Sequence, residues 1–295
     1  LDRYLSVASG VALTFLKGLQ QQPNLFPLWD LDGRFRALDA VPEFQQILTV
    51  CVPPVEIIAQ GQTGIDLARM TNDALAELVA KHPDRFKGFA ASLCYTEVDA
   101  SLAEIDRAVN QLGALGIQIF TNIDGLPPDE PRFAPIFARM EQLDRAIWVH
   151  GWRTPLLADY KGEADSRYGM WLALGWPYEM GVFMARLALA GVFDRHPQLK
   201  ILCHHSGGMT ATFGRRAGGG ASHPTSATYD QDNAQVKSLR KPPFDYLKMF
   251  YADTTGQQPI TIDAARKFYG PDHVMMGTDF PWTYPANHMA NIEQL

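Results

Sequence analysis

From residue 46 onward, short apolar runs rich in strand-forming residues alternate with longer stretches whose apolar residues recur at helical spacing. That rhythm restricts the fold more than any single motif. The extended runs are Gln46–Val52, Phe86–Leu93, Ile117–Ile123, Ala146–Trp152, Lys200–His205, Met249–Thr255 and His273–Phe280. Helical patterns separate most of them: a stretch ending at Pro83, then Val98–Gly116, Pro131–Leu143, Pro177–Phe193 and Pro259–Gly270. Several runs are apolar on both faces, which predicts an α/β fold with a parallel sheet covered by helices.

Two architectures satisfy this pattern, a doubly wound sheet and a (β/α)8 barrel of the TIM type. No GxGxxG or GxxxxGK[ST] follows a strand, so the usual nucleotide reason for a doubly wound sheet is missing. The barrel needs an eighth strand, and nothing before residue 46 supplies one. Ser9–Leu19 reads as helix, and Pro23–Ala40 as a loop with small turns. With no repeat or linker to divide it, the chain reads as one domain over residues 1–295, and Ala217–Gln235, rich in Gly and Ser, as a mobile loop over a site.

Composition narrows the partners. A net charge of -6 argues against nucleic acid and anionic membranes. No apolar stretch approaches the ~20 residues of a membrane span, and the start has no signal-peptide pattern. Cys51, Cys94 and Cys203 lie in apolar runs without paired spacing, as expected of buried thiols in the cytoplasm.

Chemistry in a parallel barrel collects where the carboxyl ends of the strands form one mouth. Three strand ends here carry groups a core would avoid: His150, the pair His204 and His205, and Asp279 ahead of Phe280, Pro281 and Trp282. Imidazoles and a carboxylate meeting at one point suit a divalent transition metal, zinc by default. Strand alternation predicts that only one of His204 and His205 faces the mouth. His82, His196, His223, His273 and His288 read as structural.

The segments VHGW, GVFDRHPQLKILCHHSGG, FYADTT and MMGTDFPW resemble the amidohydrolase-related family, in the branch of aminocarboxymuconate-semialdehyde and γ-resorcylate decarboxylases. The similarity spans about residues 46 to 285. It implies a barrel with one divalent metal, zinc or else manganese, at the mouth. His150 and Asp279 match metal ligands, His205 matches an acid–base group, and Asp279 also takes part in proton handling. His204 has no consistent counterpart and is placed behind the ligands. The family also opens with an acid-x-His or His-x-His pair on its first strand, which is not found here; the first strand and last helix are therefore expected to be missing from this sequence or divergent in it.

The implied reaction is a non-oxidative decarboxylation of an aromatic or dienoic carboxylic acid, a small-molecule substrate, by a homodimer or larger homo-oligomer. A hydrolase or hydratase of lactonase type would share the same ligands. A non-catalytic barrel that binds a ligand or partner is the reading from another class. Trp152, Trp176, Tyr178 and Trp282 are candidates to wall the substrate pocket, with Tyr160, Tyr168 and Trp171 beside them. Arg153 and Arg215, with Lys161, are candidates to bind a second carboxylate or hydroxyl.

Overall fold

Among the described residues, seven parallel strands follow one another in chain order across a single curled sheet. They are β1 (Gln46–Leu48), β2 (Phe86–Ala91), β3 (Gly116–Phe120), β4 (Ala146–His150), β5 (Lys200–Cys203), β6 (Tyr251–Asp253) and β7 (Val274–Met275). The computed structural model describes residues 1–50, 52–218, 224–255 and 258–293. Cys51 and His223 therefore lie outside the described residues, as does part of the Gly- and Ser-rich segment.

Register decides which side chains see the helices and which see the concave side. Ile117 pairs with Ile147 and Ile147 with Ile201, while Val149 pairs with Cys203. All of these are buried, in one cluster with Phe133, Phe137 and Met140 of one helical segment and Phe183 and Leu187 of another. The apolar face of Gly175–Leu189, with Pro177 in its first turn, thus seals the outside of the sheet. Each fully buried side chain of this size contributes about 2 kcal/mol by leaving water. The alternate residues Gln118, Phe120, Trp148 and His150 stand on the other face, where Phe120 is paired with His150.

The structure departs from the sequence reading in three places. Within Pro23–Ala40 a 3-10 turn at Pro23–Leu28 leads into an α-helix at Leu31–Leu38. Asp30 caps that helix by accepting from the Gly33 N–H at 2.9 Å, a start signal obscured by Pro27 and by a glycine inside the first turn. Tyr229–Ser238, taken as part of a mobile loop, is an α-helix with acids in its first turn. The strands also end earlier than their apolar runs, β3 at Phe120, β5 at Cys203 and β7 at Met275.

Candidate metal and acid–base site

The last residue of β4 is His150, and β5 stops one residue before the two histidines. His205 and Ser206 both adopt left-handed conformations, at φ 57, and Gly207 and Gly208 continue with positive φ. Such a run breaks strand alternation. Both rings therefore turn toward His150, with centroids 5.9 Å (His204) and 5.1 Å (His205) from it. The expectation that only one of the pair could face the mouth is corrected by that turn.

Hydrogen bonding sets the proton positions. His150 Nδ1 lies 2.8 Å from the Gly151 carbonyl, which can only accept, so Nδ1 carries the hydrogen and Nε2 of the neutral ring is bare. His205 Nε2 lies 3.2 Å from that nitrogen and donates to it. Burial, followed by the neighbouring His205 and His204, holds His150 well below the ordinary imidazole range. His205 is lowered to about 4, chiefly by burial, against the pull of Asp253. Both rings stay neutral at pH 7.

Asp279 follows the last strand, also with a left-handed backbone. Burial pushes its carboxyl up to about 7; His204 works against the shift and Asp253 adds to it. The His150 Nε2 lone pair, which here accepts from His205, and a carboxylate short of positive charge are a donor set that suits a divalent cation. Among the described residues, no three His, Cys, Asp or Glu side chains already converge as a closed cage. The fit therefore rests on these two donors.

An aromatic wall borders the rings. Trp176 meets His150 edge-on at 5.1 Å, Trp171 meets Trp176 at 5.5 Å, and Phe15 of the Gly10–Gln20 helix touches both Trp171 and Trp152.

A family model described as amidohydrolase matches residues 36–295. The chain belongs to the amidohydrolase family. Among relatives, it is 34% identical over 279 residues to the γ-resorcylate decarboxylase of Rhodococcus jostii, covering 88% of this chain and 79% of that protein. It is 30% identical over 255 residues to the 2-amino-3-carboxymuconate-6-semialdehyde decarboxylase of Dictyostelium discoideum, covering 86% of this chain and 67% of the other. The solved 5-carboxyvanillate decarboxylase of Novosphingobium aromaticivorans, complexed with manganese and a nitrobenzoic acid, superposes with a TM-score of 0.85. The two are 26% identical, and the match covers all (100%) of this chain and 86% of that one. These relatives are decarboxylases, and the fold is that of their family's barrel.

Against this amidohydrolase frame the remaining candidates separate. Trp152 is buried, packed with Val52 and Phe120. Arg153 is engaged by Glu179 at 3.3 Å. Tyr178 is half exposed, and Tyr160 and Tyr168 are largely in solvent. Arg215 lies on an exposed position of Thr210–Gly218, its guanidinium 5.5 Å from the Phe244 ring. Gly214 beside it packs on Phe268. Trp282 is partly buried, and its N–H donates to the Asp279 carbonyl at 2.8 Å. His82, His196, His273 and His288 make structural contacts, with Phe35, Glu141, Phe250 and Thr254 respectively.

Asp253 and Glu56 are buried acids that the sequence reading did not single out. Asp253 ends β6 beside His204, and an acid closing an apolar run is the signal that singled out Asp279. Glu56, in the short helix Val55–Ile58, is 2% exposed. Neither of its carboxylate oxygens makes a well-formed hydrogen bond, although the N–H groups of Glu56 and Tyr95 lie close enough to offset part of the penalty. Burial raises this carboxyl to about 8. The folded protein then holds a proton that the unfolded chain has released, so stability falls as pH rises from the ordinary carboxyl range to about 8. Denaturant titrations should show Glu56→Gln flattening that decline and stabilising the protein by about 1–3 kcal/mol at pH 8. An unchanged pH slope would refute the account.

Proposed function

We propose that this amidohydrolase-family protein is a metal-dependent, non-oxidative decarboxylase of an aromatic or dienoic carboxylic acid. The observation that carries the reading is the meeting of His150 and His205 at 3.2 Å beside an aromatic wall, with a charge-starved Asp279 among the same groups. His150 and Asp279 would hold the ion, which when bound supplies positive charge for the substrate's carboxylate and a neighbouring oxygen. Manganese, present in a solved relative, stands beside zinc as the ion to load.

His205 is the proton donor in this reading. Its Nε2 faces the His150 nitrogen at 3.2 Å. With that nitrogen given to the ion, the His205 ring would take a second proton from solvent as the anionic substrate binds, pass it to the ring carbon that bears the carboxylate, and return to the neutral form. That carbon becomes tetrahedral, its bond to the carboxylate breaks, the electron pair returns to the ring, and carbon dioxide leaves. Atoms balance without any oxidant. Trp176 offers an edge against which a flat substrate rests, and buried Trp152 keeps water from the back of the pocket. A homo-oligomer of this chain belongs to the proposal, supported by exposed Leu156, Tyr160, Tyr168 and Leu174. A cytoplasmic setting is supported by the free buried thiols Cys94 and Cys203.

The test is incubation of zinc- or manganese-loaded protein with 2,6-dihydroxybenzoate, 5-carboxyvanillate and related acids, reading carbon dioxide and the organic product together. Stoichiometric carbon dioxide with the protonated arene is expected. A hydrated or ring-opened acid without carbon dioxide would replace this reading with the hydratase or hydrolase one. A metal-loaded protein inert toward the whole panel would count for a binding barrel.

A further inference from the structure

Four consecutive residues with positive φ, His205 to Gly208, are costly for an L-amino-acid chain, since His205 and Ser206 each carry a Cβ. Something must hold them. The carboxylate of Asp253 accepts from four donors around this turn. Its Oδ2 takes His204 Nδ1–H at 2.6 Å and the Thr255 hydroxyl at 2.6 Å. Its Oδ1 takes the N–H groups of Ser206 at 3.3 Å and Thr255 at 3.1 Å. The Ser206 hydroxyl in turn donates to the Asp253 carbonyl at 3.1 Å. Asp253, Ser206 and Thr255 are buried, and Gly277 leaves room for the cluster, since a Cβ there would come within 2.9 Å of Asp253 Oδ2.

We infer that Asp253 is a positioning residue for the reaction: it clamps the left-handed turn that sets His205 against His150, and it fixes the Nδ1–H form of His204, so that His204 Nε2 is left bare. Because a carboxylate cannot donate, the His204 hydrogen must sit on Nδ1. The arrangement is that of a carboxylate orienting an imidazole, here with the two imidazoles on adjacent residues and one acid controlling both. Burial works to raise Asp253, yet the hydrogen bond from His204, the neighbouring His204 and His205 rings and the Thr255 hydroxyl outweigh it and hold the carboxyl down at about 2, so the clamp stays ionised over the working range. The adjoining site gains a fixed geometry, and the backbone strain is offset by bonds that a looser carboxylate would not make.

The role in turnover rests on the decarboxylase reading, whereas the tautomer does not. Zinc-loaded protein labelled with 15N in its eight histidines reports each ring's protonated nitrogen directly, with His204→Gln assigning the signal. We expect His204 to carry its hydrogen on Nδ1 in the native protein. In Asp253→Asn the amide presents either its NH2, forcing that hydrogen to Nε2, or its oxygen, giving up the turn's other bonds. On a decarboxylated substrate, kcat should fall about 10²-fold or more with KM within about threefold, the split expected of lost orientation. Should Asp253→Asn fold poorly, Thr255→Val removes one bond to Oδ2 while keeping the charge, and should lower kcat about 3- to 10-fold. A native His204 protonated on Nε2 would overturn the inference whatever the activity, and so would full kcat in a folded Asp253→Asn. An inert but Nδ1-protonated native protein would instead count against the decarboxylase reading alone.

Discussion

Replacing His205 by asparagine is expected to lower turnover by about 10²–10⁴-fold while metal content stays near that of the native protein. The imidazole is neutral, buried and bonded to His150 Nε2 at 3.2 Å, so its removal takes away a proton carrier and leaves His150 and Asp279 in place. Asp279→Ala should do the reverse. It deletes the carboxylate whose charge the site leaves uncompensated, and metal analysis after dialysis should find the protein largely empty. If both variants keep metal and rate, the division of labour is wrong. If His205→Asn loses metal, that ring is a ligand and the proton must come from another group.

The second large effect is on stability. Gly208 has φ 59 and ψ -123, a region closed to side chains. A Cβ there would sit 2.6 Å from the Pro177 carbonyl and 2.7 Å from Met180 Cβ, both on the helix that seals the sheet. Gly208→Ala must therefore strain the turn or push that helix outward, at a cost of about 2–4 kcal/mol in chemical denaturation. Activity should fall more than stability explains, since the same turn carries His205. A variant with native stability and rate would mean that the turn relaxes freely.

Much of this molecule is legible in its residues. The rhythm of apolar runs anticipates the strands and their parallel order, because a strand buried on both faces leaves a short, continuous apolar signature. His150 and Asp279 stand out as polar groups closing such runs. Less visible was anything set by backbone conformation. The helix Leu31–Leu38 starts from a cap that Pro27 and Gly33 disguise. The paired histidines obey strand alternation only while the strand lasts, and it ends at Cys203. Asp253 sits in FYADTT, a segment conspicuous enough to carry the family resemblance, yet two of its four donors come from the turn after β5, forty-nine residues away for His204. Glu56 was hidden for the opposite reason: burying an acid with so little compensation is a conformational outcome that spacing does not encode.

The turn after β5 has a mechanical corollary. A sheet normally hands a pocket every second side chain of a strand, so the gap between two working groups varies with the sliding of neighbouring strands. Here adjacent residues serve one cavity, and their spacing is governed by a few torsions plus a carboxylate anchor. His204 and His205 should travel together as a stiff pair when the protein breathes. Whatever play exists would open between that pair and His150, just past the Val149–Cys203 rung where the β4–β5 ladder ends.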